Sequence, residues 1–218
     1  MCALFGSYNK DKFLELLEIN SYRGSFSYSY AIIHNDYSIV DFKDFGTFDK
    51  VRFNEYADNA YFLGHVQSPT AGLERNYSRI HPAIKNTFRL WHNGIIKAKH
   101  VEEMQRKLDS DNMWDTQLLL DTVITDNILN PLELSNIDGA FSCALLNINV
   151  SLMLFRNTTS PLFYNDSLDI SSTKFVGSEK THPNIVYNMD LTNRTMSKLA
   201  KFENINTPYY FAGENGKE

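Results

Sequence analysis

Cysteine is scarce. The 218 residues hold two, Cys2 and Cys143, too few for a disulfide-stapled secreted scaffold and too far apart for a zinc knuckle. Long apolar runs are missing too, and no stretch approaches the 18 or so residues that a membrane helix needs. The opening residues, MCALFGSYNKDKF, have no basic segment ahead of a long apolar one and do not read as a signal peptide. The chain is expected to be cytoplasmic, where the sequons at Asn157, Asn165 and Asn193 carry no weight. No GxGxxG, GxxxxGK[ST] or HExxH occurs, and His34, His65, His81, His92, His100 and His182 fall at no metal-ligand spacing. No cofactor and no metal are expected. Positive charge is in deficit: 21 Lys and Arg stand against 26 Asp and Glu, a net charge of −5, which gives no broad field for nucleic acid.

What is present suits one folded domain. Hydrophobic residues make up 43% of the chain and charged residues 22%, and a chain of this length buries roughly 70% of its unfolded surface. The domain is expected over 1–207, with a polar, fraying tail over 208–218. Residues 74–110 hold eight basic residues against four acids, which reads either as a solvated helix face or as a partner surface. Apolar periodicity predicts a strand from Cys2 to Phe5 and a helix over 9–20, capped by Asn9, with Phe13, Leu16 and Leu17 on one face. Alternation predicts strands near 28–34, 39–48 and 60–66, the last stopped by Pro69. A short strand over 87–92 is expected to end in a turn at Asn93-Gly94. Helices are predicted over 97–109 and 115–129, then strands over 140–146, 150–156, 162–164, 168–171 and 185–189. Helices come in blocks rather than alternating with strands, so the fold class is α+β with mainly antiparallel sheets.

Three places carry candidate chemistry. Methionine aminopeptidases accept a small second residue, and cysteine is one. Removal of Met1 would give Cys2 a free α-amine beside its thiol, so that one residue supplies nucleophile and general base. The bland alternative is a small core residue in an apolar strand. Asn93-Gly94 offers a side-chain amide and a backbone N–H that suit a developing oxyanion, or only a hairpin turn. Asp115 either caps the helix after it or presents a carboxylate to a substrate ammonium. Cys143 reads as a core cysteine.

Taken in order, these segments resemble class II glutamine amidotransferase domains, the N-terminal-nucleophile hydrolases at the front of asparagine synthetase. MCALFG at 1–6 resembles the family opening MCGIxG. RGSFSYS at 23–29 stands where the family has an RGPD-like loop, and LGHVQSPT at 63–70 resembles its LxHxR segment. LWHNG at 90–94 resembles the HNG of the oxyanion hole, and WDTQ at 114–117 an SDTE-like segment. IDGAFSCALL at 137–146, LFRNTTSPLFY at 154–164 and SSTKF at 171–175 resemble the LxGxFA strand, the RDxxGxxPLYY hairpin and an SSE-like stretch.

The likeness covers roughly 1–176. It implies a four-layer α/β/β/α sandwich of two mainly antiparallel sheets. It also implies hydrolysis of L-glutamine to L-glutamate and ammonia through a Cys2 thioester, with Asn93 and Gly94 as the oxyanion hole and Asp115 on the substrate ammonium. Arg23, Gln67 and the Pro69-Thr70 backbone are the candidates for the carboxylate end, with Arg75 a weaker substitute for Arg23. His65 and His92 are expected to be structural. A synthetase or transferase on a separate chain is the expected ammonia acceptor, and neither nucleic acid nor membrane is an expected partner.

The sequence departs from the family pattern at several positions. Ala3 replaces a glycine, and Pro-Asp is missing after Gly24. Gln117 replaces Glu and Asn157 replaces Asp. Gln67 stands where arginine commonly pairs with the α-carboxylate, and glutamine supplies no bidentate ionic fork. Three alternatives therefore stay open: an N-terminal-cysteine acyl hydrolase or acyltransferase on another amide, a non-catalytic interaction module, and an unrelated α+β domain.

Overall fold

The computed structural model describes residues 2–50, 53, 60–68 and 75–205. The proposed tail 208–218 and the candidates Pro69 and Thr70 lie outside these residues. The first strand, β1 (Ala3–Ser7), leads into α1 (Lys10–Ser21). The Asn9 side chain accepts from the Lys12 N–H at 2.8 Å, so the predicted cap is present. Then come β2 (Ser27–Ile33), β3 (Ile39–Phe45), β4 (Tyr61–Gln67), β5 (Ala83–Lys85) and β6 (Phe88–Ile96). Three helices follow, α2 (Ala98–Leu108), α3 (Asp115–Val123) and α4 (Pro131–Ser135), with the two-residue strands β7 (Ile124–Thr125) and β8 (Ile128–Leu129) between the last two. The remainder is β9 (Gly139–Asn147), β10 (Ser151–Arg156), β11 (Phe163–Tyr164), β12 (Ile170–Ser171), β13 (Glu179–Lys180), β14 (Ile185–Asp190) and β15 (Thr195–Lys201). Among the described residues, no helix is long and apolar enough to cross a membrane.

Two antiparallel sheets stack face to face. One runs β13-β11-β12-β1-β4-β2-β3 and the other β15-β14-β10-β9-β6-β5. Side-chain alternation sorts the buried residues into three layers. Leu4, Ala31, Ile33 and Leu63 meet Trp91, Ala144, Leu152 and Leu154 between the sheets. On the outer face of the first sheet, Ala3, Phe5, Tyr30 and Phe62 pack under Phe13, Leu16 and Leu17 of α1. On the outer face of the second, Phe141, Cys143 and Phe155 pack under Met104, Leu118, Leu119 and Leu134. The result is the expected four-layer α/β/β/α sandwich, with Cys143 fully buried in its core.

Two sequence expectations fail. Asn93-Gly94 makes no turn, because β6 runs through it to Ile96 and pairs with β9 throughout. The helix from Asp115 stops at Val123. Asp126 and Asn127 both take positive φ (52° and 58°) and fold the next residues into the β7–β8 hairpin, a turn that side chains of this type tolerate. The edge of β5 is also notable. Gln117 of α3 accepts from the Ile84 N–H at 3.2 Å and donates to the Ile84 carbonyl at 3.1 Å.

Packing over β1 leaves little slack. A Cβ on Gly64 would stand 2.4 Å from the Phe5 ring, so β4 can approach α1 only through glycine. Phe13 stacks on Phe53 and touches Phe5 and Phe62. Phe13→Ala should therefore lower stability by about 3–5 kcal/mol, read as a fall in the urea midpoint. A loss below about 1 kcal/mol would mean that α1 does not hold β1 in place.

Candidate active site

The filling between the sheets changes from apolar to polar along the strands. In β1 and β4, Leu4 lies opposite His65, and in β2 and β4, Ser29 lies opposite His65 and Ser27 opposite Gln67. Directly opposed residues share a face, so Ser27, Ser29, His65 and Gln67 continue the inward face that Leu4, Ala31 and Leu63 begin. Alternation puts Cys2 on that face as well. Across the gap, Asn93 follows Trp91 on the inward side of β6 and lies opposite Ser142 of β9. Cys2, Ser27, Ser29, His65, Asn93 and Ser142 are all buried.

Four of the residues singled out in the sequence converge here. The Cys2 thiol points to the Ser68 carbonyl at 3.8 Å. Burial pushes it up to about 11, with the Asp115 charge adding to the rise and the Arg23 charge opposing it. Arg23 donates from Nη2 to Asn93 Oδ1 at 3.4 Å and from Nη1 to Ser172 O and Thr173 Oγ1, each at 3.4 Å. The guanidinium thus orients the Asn93 amide. Asn93 Nδ2 gives one hydrogen to Ser142 Oγ at 3.3 Å and keeps a second for a ligand. Gly94 is required sterically: a Cβ there would stand 1.8 Å from Ala140 O.

Asp115 does not cap α3. Trp114 takes the cap position without a side-chain bond, and Asp115 Oδ2 instead accepts from the Ile96 N–H at 3.2 Å. That contact fixes the carboxylate against β6 in the field of Cys2. Gln67 lies near the thiol, yet its amide is occupied by protein groups. Oε1 accepts from Ser27 Oγ at 3.0 Å and from His81 Nδ1 at 3.3 Å, while Nε2 donates to Arg79 O at 3.2 Å. Arg75 stands over the Phe45 ring, with its Cζ 5.5 Å from the centroid.

Three partners escaped sequence reasoning: Ser142, His81 and Thr116. His65 donates to the His92 carbonyl at 3.0 Å and lies against His81, with ring centroids 3.8 Å apart. His92 Nδ1 and His81 Nε2 each lie 3.2 Å from Thr116 Oγ1. No linear spacing announces these contacts, which join segments 16 to 49 residues apart. Asn157, at the hairpin position, accepts from Phe141 N and donates to Gly139 O, bracing β9. Among the described residues, no group of three or more His, Cys, Asp or Glu side chains is arranged to hold a metal ion.

Burial lowers His65 from 6.5 to about 3, and it lowers His81 well below its ordinary value, with the neighbouring His65 and His92 adding to the effect. An unfolded histidine takes its proton near pH 6.5. Between that pH and the folded value the unfolded chain binds more protons, so stability falls as pH drops. Each such histidine contributes about 1.4 kcal/mol per pH unit to that slope. His65→Gln keeps a donor toward His92 O and should flatten the slope by about that amount between about pH 6 and about pH 4. Denaturant titrations at the two values measure it, and an unchanged slope would mean that His65 is not held neutral.

No family model matches the chain, and no curated protein sequence does. Solved structures do match. A glutamine phosphoribosylpyrophosphate amidotransferase from B. subtilis aligns over 91% of this chain, with a TM-score of 0.70 and 14% identity. An allosteric regulatory enzyme of purine biosynthesis aligns over 94%, with a TM-score of 0.70 and 17% identity. The chain spans about half the length of both, 49% and 50%. A glutamine aminotransferase class-II domain protein from Silicibacter pomeroyi aligns over 93% of this chain and 99% of its own, with a TM-score of 0.52 and 10% identity. At these identities the likeness is one of fold: two stacked antiparallel sheets between helices, the N-terminal-nucleophile hydrolase arrangement of these structures.

Proposed function

We propose that this protein hydrolyses L-glutamine to L-glutamate and ammonia through a Cys2 thioester, and that the ammonia passes to a synthetase or transferase site. The observation that carries the reading is a buried thiol at residue 2 within the fields of Arg23 and Asp115, with Arg23 bonded to Asn93. A glutamine carries an ammonium, a carboxylate and a side-chain amide. A carboxylate, a guanidinium and an oxyanion donor answer these in turn.

The buried thiol is protonated at neutral pH, so a base must act on it. Loss of Met1 would supply one on the same residue. The Cys2 α-amine takes the thiol proton, and the sulfur attacks the amide carbon of the substrate. Asn93 Nδ2 and the Gly94 N–H receive the oxyanion. As the tetrahedral intermediate collapses, the amine returns the proton to the departing nitrogen and ammonia leaves. Water, deprotonated by the same amine, then releases glutamate from the thioester and restores the thiol. Asp115 takes the substrate ammonium. Arg23 takes the carboxylate end, with the Pro69-Thr70 backbone as a further candidate and Gln67 in a supporting place.

The occupied amide of Gln67 favours a second reading, an N-terminal-cysteine acyl hydrolase whose substrate has no α-carboxylate. Release of ammonia or amine from glutamine, asparagine and acylated amines separates the two, and glutamine should be the fastest.

Mass spectrometry after treatment with a glutamine-like electrophile should find one adduct, on Cys2, in a chain without Met1. Cys2→Ala should lose both the adduct and ammonia release. Ammonia release by Cys2→Ala at the parent rate would overturn the mechanism. Asp115→Asn should raise KM for glutamine by about tenfold or more, the cost of unpairing the ammonium. An unchanged KM would remove Asp115 from the substrate.

A further inference from the structure

Behind the Asn93-Gly94 corner lies a line of buried polar groups that the proposed chemistry does not use. It runs from Ala140 O to His92 Nε2 (3.3 Å), from His92 Nδ1 to Thr116 Oγ1 (3.2 Å), from Thr116 Oγ1 to His81 Nε2 (3.2 Å) and from His81 Nδ1 to Gln67 Oε1 (3.3 Å). Both ends are acceptors. The four contacts need four protons, while two neutral imidazoles and one hydroxyl supply one each, three in all.

The far end fixes the tautomer of His81. Arg79 O can only accept, so it fixes Gln67 Nε2 toward itself and Oε1 toward His81. His81 therefore carries its proton on Nδ1, and its bare Nε2, at 3.2 Å, is a nearer acceptor for the Thr116 hydroxyl proton than Asp115 Oδ1 at 3.4 Å. The Thr116 oxygen is then free to accept from His92. Of that ring's two contacts, the one from Nδ1 to Thr116 is buried and shorter (3.2 Å), while the one from Nε2 to Ala140 O is part-buried (3.3 Å), and a proton is costlier to withhold from the buried contact. The contact left without a proton is then His92 Nε2 to Ala140 O. That ring edge lies against Gly94, where an added Cβ would stand 2.7 Å from Nε2. The His92 carbonyl is meanwhile held by His65. Ring and carbonyl are thus both pinned, one residue before the oxyanion donors.

We propose that Thr116 is a positioning residue for the reaction at Cys2: its hydroxyl fixes His92 as the Nδ1–H tautomer, and that ring holds the Asn93-Gly94 corner in place. The inference rests on the glutaminase reading for its kinetic consequence but not for the tautomer. Asp115 is held by the Ile96 N–H at 3.2 Å and only at 3.4 Å by the Thr116 hydroxyl, so loss of the hydroxyl weighs on the oxyanion corner more than on the ammonium site.

Thr116→Val removes the hydroxyl at nearly constant shape, and Thr116→Ser keeps it. In the full chain, T116V should lower kcat for glutamine by about tenfold or more, as for a disturbed oxyanion donor. KM should move by less than about threefold, and T116S should stay within about threefold of the parent. Proton–nitrogen correlation spectra of the imidazole rings should find His92 as Nδ1–H in the parent and in T116S. In T116V, with only Ala140 O left to bond, His92 should become Nε2–H. An Nε2–H His92 in the parent overturns the proposal, as does a T116S as slow as T116V or an unchanged kcat in T116V. If T116V does not fold, the parent and T116S spectra still decide the tautomer. A parent protein that releases no ammonia from glutamine sinks the proposed function, and the spectra still test the line of bonds.

Discussion

A polar group sealed between two sheets loses its water and must find a protein partner, or cost about 1–3 kcal/mol. That constraint shapes the whole molecule. At one end of the sandwich the gap is filled by Leu, Ile, Ala and Trp and holds the sheets together chiefly by burial, with Tyr8 and Tyr37 bonding to the Leu191 and Met189 carbonyls at its border. At the other end the same strands present Ser, His, Gln and Asn, and Ser27, His65, Gln67, Asn93 and Ser142 are drawn into a bonded arrangement that leaves little freedom. A pocket made this way is stiff before any ligand arrives, and preorganisation of that kind is what electrostatic stabilisation of a transition state requires.

The histidines belong to this arrangement as brackets, not as bases. Burial removes His65 and His81 from the range where an imidazole exchanges protons at neutral pH. Their value lies in having two nitrogens at fixed angles, able to join backbone carbonyls to side chains on other elements. Arg23 does similar work from the loop after α1, joining the second-sheet Asn93 to the segment after β12. The sheets are thus tied at their polar end by directed bonds, where apolar packing has no material.

Much of the fold could be read in the order of residues, because alternation and helical spacing follow directly from which face is buried. The cap at Asn9 and the strand opening at residue 3 are of this kind. The failures have particular causes. Asn-Gly usually signals a turn, but here the glycine is demanded by the closeness of Ala140 O inside a continuous ladder. The apolar period after Asp115 runs on through Ile124 and Ile128, and only the positive φ of two short polar residues breaks it. TMSKLAK makes the edge strand β15 while mostly exposed, so no apolar alternation marks it. For the site, residue types with intrinsic chemistry (Cys2, Arg23, Asn93 and Asp115) stood out. Ser142, His81 and Thr116 did not, since contacts made across the fold define them.

The double bond between Gln117 and Ile84 has a consequence of its own. An edge strand normally exposes a free N–H and C=O to which another extended chain can attach. At β5 both groups of the outward residue are taken by one side-chain amide, which copies the peptide of a neighbouring strand. The second sheet is therefore sealed against end-to-end growth on that side, and self-association by strand addition has to come from another border of the molecule.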